Sequence, residues 1–80
     1  MNTSLNKLIT ETIAEVERIN SAYDAHALED DDDMIIFGIR IALAVFQESV
    51  QYYETEEKTL AEELINKANA FIEKWEDENQ

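Results

Sequence analysis

A chain of 80 residues can form one domain at most, and a domain this small buries only about 60 to 65% of its unfolded surface, so it calls for a further source of stability. The complete absence of cysteine excludes disulfides and thiolate metal sites as that source, leaving oligomerisation as the common device. Nineteen acidic against six basic side chains give a net charge of −13; that field, felt over about 8 Å in physiological salt, repels nucleic acid and anionic membranes and excludes direct nucleic-acid binding.

The chain is nonetheless 45% hydrophobic and carries three Phe, three Tyr and a Trp, which separates it from disordered acidic tails. Its first residues, Met1 to Lys7, lack a basic start followed by an apolar block, so no secretory signal is read and a cytoplasmic location is expected. With no proline and a single glycine, turn punctuation is scarce and long helices are the natural outcome.

The expected architecture is all-α, a three-helix antiparallel bundle formed by residues 1–80 as a single helical domain. The first helix is expected at about 4–25, where Leu5, Ile9, Thr12, Val16, Ile19 and Tyr23 recur at spacings of three and four, with Leu8 and Ile13 widening the stripe. The run Glu29-Asp30-Asp31-Asp32-Asp33 interrupts this pattern. It suits the start of a second helix, because carboxylates face the unsatisfied N–H groups and the positive end of the dipole.

The second helix, about 32–54, is the unusual one. Met34 to Ile41 has high β propensity, but no comparable strand exists to pair with it, and the sequence continues into Ala42-Leu43-Ala44 and beyond as good helix former. The apolar stretch from Met34 to Phe46 already contains Gly38 and Arg40 and falls well short of the roughly 20 residues needed to span a bilayer. Wound as a helix it is apolar in almost every direction, and two neighbours cannot cover it. Self-association as a homodimer through Met34, Ile41, Val45 and Tyr52 is therefore expected, and Gly38 is expected to serve close helix packing.

The third helix is expected at about 59–77, opened by the capping-box pattern Thr59-Leu60-Ala61-Glu62. Its inward face would carry Leu60, Leu64, Ala68, Phe71 and Trp75, with Ile65 and Ile72 beside them, and its outer face the pair Glu63 and Lys67.

The chemistry of catalysis is thinly represented. His26 is the only histidine and falls in the first connection, where an exposed loop residue is expected. No Glu-x-x-His pair, no phosphate-binding Gly loop and no alternating calcium-loop spacing occurs. The expectation is no enzyme, no metal and no cofactor. Arg40, within the apolar run, is a candidate for an ion pair or for a small-anion site.

Because self-repulsion opposes folding, the excess of carboxylates points to use in binding. The leading expectation is an inhibitor that docks an acidic face onto a basic, nucleic-acid-handling protein, in the manner of a DNA mimic. Its candidate contacts are Glu29, Asp30, Asp31, Asp32, Asp33, Glu56, Glu57, Glu62, Glu63, Glu73, Glu76 and Asp77. In size and composition such a chain resembles the inhibitors that viruses and mobile elements direct at host defence enzymes. The alternatives are a structural or regulatory helical oligomer, or an adaptor that grips a partner through the apolar second helix, and a helical oligomer that binds a small anion at Arg40.

Overall fold

A computed structural model describes residues 3–78 as three helices, α1 (Thr3–Asp24), α2 (Asp32–Ser49) and α3 (Thr55–Glu78), with one 3-10 turn (Val50–Tyr52) between the last two and no strand among the described residues. The β-prone run from Met34 to Ile41 is helical. Without a second strand its backbone N–H and C=O groups have no lateral partner, and the helix satisfies them internally. At 1.5 Å per residue α3 should be about 36 Å long, which matches the 39 Å long axis of the molecule.

The three helices share one core. α1 contributes Ile9, Ile13, Val16 and Ile19; α2 contributes Ile36, Ile39, Leu43 and Phe46; α3 contributes Ala61, Leu64, Ala68, Phe71 and Ile72. Each set recurs at intervals of three and four, so each lies along one side of its helix. Trp75, Leu60 and Ile65 are only partly buried against this core, whereas Ile72 lies fully within it. Leu8, expected to widen the inward stripe of α1, instead faces outward and is more than half exposed. The stripe turns toward Ile13, and a residue five positions earlier points well away from it.

Ion pairs join every pair of helices. Lys67 Nζ meets Glu17 Oε2 at 2.6 Å, and Lys74 Nζ meets Asn20 Oδ1 at 2.6 Å and Asp24 Oδ1 at 2.7 Å, tying α3 to α1. Lys74 also lies over the ring of Tyr23, which stands edge-on to Phe71. Arg18 of α1 donates to Asp32 Oδ1 at 3.3 Å. Arg40 of α2 pairs with Glu76 of α3 at 2.9 Å. Four of the six basic side chains, Arg18, Arg40, Lys67 and Lys74, are thus engaged between elements of the fold.

The helix ends show where sequence patterns and backbone geometry compete. α1 closes on His26, which has a positive φ of 56°. The His26 amide donates to Tyr23 O and the Ala27 amide to Ala22 O, the bond pair of a Schellman turn with histidine where glycine usually stands. α2 stops at Ser49 rather than near residue 54: Tyr53 is extended, its hydroxyl lies 2.8 Å from Ser49 Oγ, and its ring stacks edge-on to Phe46. α3 starts at Thr55, one turn before the capping-box pattern, with Glu56 and Glu57 beside the positive end of its dipole. Thr59 is then interior to the helix, and its hydroxyl donates to Thr55 O. α3 runs to Glu78, close to the expected end near residue 77, and Asn79 and Gln80 lie outside the described residues.

Candidate functional site

The two sides of α2 are both apolar. One side, Ile36, Ile39, Leu43 and Phe46, enters the core, while Met34, Phe37, Ile41 and Val45 follow the opposite side and face solvent. Ala44 and Gly38 are exposed among them. The side from Met34 to Val45, about three turns of helix, presents no charged residue until its edges, where Asp33 and Arg40 stand, and Glu48 follows it. Among the described residues, four of the six exposed large hydrophobic side chains lie on this side.

Tyr52, in the 3-10 turn that follows α2, is likewise exposed, and Leu8 of α1 borders the α2 side. Leu8, Ile35, Gly38 and Ala42, with Glu11 and Glu15 on the α1 side, line a shallow groove between α1 and α2 that opens beside the ridge. Gly38 does not serve close packing within the chain, because a Cβ placed there would meet no atom within 4 Å. It holds open space in the middle of an exposed helix, where alanine would be more stable by about 1 kcal/mol.

Met34, Phe37, Ile41, Val45, Tyr52 and Leu8 are each between 53% and 79% exposed. At about 150 to 200 Å² for a large side chain, they display on the order of 600 Å² of apolar surface, the upper end for the largest patch of a monomer. This is roughly a tenth of the total accessible surface of 5440 Å². Met34, Ile41, Val45 and Tyr52 were expected on this surface from the sequence. Phe37 and Leu8 were not, although Phe37 falls three residues after Met34 and four before Ile41, so helical spacing alone places it on the same line.

The acidic candidates divide. Glu29, Asp30, Asp31 and Asp33 are exposed around the start of α2, and Glu56, Glu62, Glu63, Glu73 and Asp77 are exposed along α3. Asp32 and Glu57 are buried and contribute nothing to an outer acidic surface. Asp32 Oδ2 accepts the Glu29 amide at 2.9 Å, and Oδ1 accepts Arg18. The Glu29 amide, helped by Arg18 and opposed by burial, holds the Asp32 carboxyl below the usual carboxylate range. Glu76 is half-buried against Arg40, and Glu63 lies 3.6 Å from Lys67. Glu15 and Asp32, in turn, raise the Arg18 guanidinium above its ordinary value, and Glu17 does the same for Lys67.

Through the Lys74–Asp24 and Arg40–Glu76 pairs, the α1–α2 connection and the last turns of α3 lie toward one end of the molecule. That end therefore gathers Glu29, Asp30, Asp31 and Asp33 with Glu73 and Asp77. His26 is exposed in the same connection. Among the described residues, no three His, Cys, Asp or Glu side chains are grouped to hold a metal ion, and no helix is long and apolar enough to cross a membrane. The depression between α1 and α3 is floored by Phe71 and Val16 and rimmed by Lys67, Lys74 and Glu17, whose charges already meet one another or Asp24. No family model, no curated protein and no solved structure matches this chain.

Proposed function

We propose that this chain is a non-catalytic interaction protein, a helical adaptor or regulatory oligomer, whose working surface is the outer side of α2. The observation that carries this reading is the uncharged apolar ridge Met34, Phe37, Ile41 and Val45 on an otherwise acidic surface. Magnitudes favour it over the acidic surface as the source of affinity. Burying about 600 Å² of apolar area contributes on the order of 15 kcal/mol before the costs of association. Each exposed ion pair contributes about 0 to 1 kcal/mol, so the four carboxylates Glu29, Asp30, Asp31 and Asp33 together would contribute at most about 4 kcal/mol.

The reading includes an up-down-up bundle. Glu17 with Lys67 and Asp24 with Lys74 advance together along α1 and α3, while Gln47 lines a groove with Glu62 and Asn66 and the earlier Arg40 pairs with the later Glu76, which supports α2 running against α3. In that arrangement the outer side of α2 is one continuous face of the molecule.

A second reading, an inhibitor docking its carboxylates onto a basic nucleic-acid-handling protein, is favoured by the convergence of exposed carboxylates at the end bearing the α1–α2 connection. Glu29, Asp30, Asp31 and Asp33, not Asp32 or Glu57, would lead such a contact. The two readings separate in one experiment. Capture from host lysate is compared for the native chain, for Phe37→Glu with Ile41→Glu, and for Glu29→Gln with Asp30→Asn, Asp31→Asn and Asp33→Asn, at low and high salt. The α2 reading expects loss only with the first pair and little salt dependence. Loss with the neutralised carboxylates, together with release by salt or duplex DNA, overturns it in favour of acidic docking.

A further inference from the structure

We infer that the outer side of α2 is covered by a second copy of this chain, with the two α2 helices crossing at Gly38. The inference rests on the α2 reading above and names its partner.

The first ground is area. Two copies that bury this side against each other remove on the order of 1200 Å² from water, above the roughly 1000 Å² that a stable interface needs and at the lower edge of the standard size. The second is shape. A two-fold interface must be self-complementary, with ridge and hollow on one surface. Here Phe37 and Ile41 form the ridge, and open space at Gly38 together with the groove lined by Leu8 and Ala42 forms the hollow. Gly38 and Ile41 are one turn apart, so an antiparallel crossing sets Ile41 of each copy over Gly38 of the other. A glycine there lets the backbones approach closely, as ridges-into-grooves packing at a crossing point requires.

The third ground is charge. A body of net charge −13 meets another of the same sign with least repulsion through a surface that carries no charge. The ridge Met34, Phe37, Ile41 and Val45 satisfies this, with Arg40 at its edge held by Glu76, and the acidic end does not. A basic partner helix, by contrast, would find no carboxylate along the ridge itself.

The test is the mass in solution, by sedimentation equilibrium on the full chain from about 1 to 300 μM at low and high salt. Ile41→Glu and Gly38→Leu are compared with the control Ala14→Leu, an exposed position on α1, and circular dichroism verifies that each variant is helical. The native chain, of 9.3 kDa, is expected to reach twice that mass, more readily as salt screens the repulsion. Both α2 variants should weaken the dimer by tenfold or more while Ala14→Leu leaves it unchanged. A second measurement uses the lack of native cysteine: Ile41→Cys should be joined between copies by a short bifunctional thiol crosslinker and Ala14→Cys should not. A native chain that stays monomeric throughout, or a dimer indifferent to both α2 variants, overturns the inference. If the chain is monomeric and Phe37→Glu with Ile41→Glu still abolishes capture of another protein, the second copy is refuted while the α2 reading stands; if neither effect is seen, both fall.

Discussion

Replacing His26 with glycine tests the backbone geometry that turns the chain out of α1. His26 has φ of 56° and closes a Schellman turn through the amides of His26 and Ala27. In the left-handed region an L-residue carries a cost of about 1 to 2 kcal/mol from crowding of Cβ against the backbone. Glycine removes that crowding but loses about 0.5 to 1 kcal/mol more conformational freedom on folding. The difference leaves His26→Gly more stable by roughly 0.5 to 1 kcal/mol, or about 2 to 8 °C in Tm for a domain of this length. The control is Ala14→Gly, an exposed position inside α1, where the same residue should lower stability by about 1 kcal/mol. Urea unfolding of both variants, followed by far-ultraviolet circular dichroism, measures the difference. If His26→Gly falls in stability as far as Ala14→Gly does, residue 26 is not left-handed and this account of the α1–α2 turn is wrong.

Other perturbations read the core, the charge and the second connection. Leu64→Ala, at a side chain 1% exposed, should cost about 2 to 5 kcal/mol in chemical denaturation. Val45→Ala on the exposed side of α2 should cost under about 1 kcal/mol in the monomer; equal losses would contradict the assignment of the two sides. Asp32→Asn should destabilise the fold at pH 7. Because the native carboxyl titrates below its unfolded value, its contribution is complete above about pH 4 and is lost as pH falls through the native value. The difference between native and Asp32→Asn proteins should therefore be flat from pH 7 to about pH 5 and shrink below pH 4; a gap that widens toward acid would refute the Glu29 and Arg18 contacts as its source. For the bond between Ser49 and Tyr53, a double-mutant cycle of Ser49→Ala and Tyr53→Phe should give a coupling of about 0.5 to 1.5 kcal/mol. A coupling near zero would remove this bond as an explanation for the early end of α2.

The helical architecture was legible in the sequence because its signals are periodic and redundant. Ile9, Ile13 and Val16, and later Leu64, Ala68 and Phe71, each repeat the spacing of four then three and all lie in the core. The ends were less legible because they depend on single local contests. Ser49 gives way to a 3-10 turn although Val50 to Glu54 continues an apolar pattern, and Thr59 offers a capping box that α3 bypasses by starting at Thr55. For the candidate surface, the argument that two neighbours cannot cover α2 was sufficient to pick Met34, Ile41, Val45 and Tyr52, all of them exposed. The expectation of close helix packing at Gly38 named no approaching helix, because the identity of a glycine does not say from which side something approaches it, and the space beside it within the chain is open. Composition likewise counts Asp32 and Glu57 with their neighbours, whereas the fold turns both inward; only the geometry of the turn and of the first turn of α3 separates them from the exposed carboxylates.

The charge and the apolar ridge also bear on one another. Arg18, Arg40, Lys67 and Lys74 join elements within the molecule, so the cations that might have neutralised the outer surface are engaged between helices. What remains outward is predominantly carboxylate, except along α2 from Met34 to Val45. Random encounters between copies are opposed over most of the surface and permitted on one side, which is how like charge confers specificity on an apolar contact that alone would be indiscriminate. This division fixes the sign of a salt effect. Contact through α2 between two copies should tighten as screening shortens the range of repulsion, and contact of the acidic end with a basic surface should loosen. A titration of the native chain with salt, read once by its own mass and once by its hold on a captured protein, therefore assigns each association to its surface by the direction of the change.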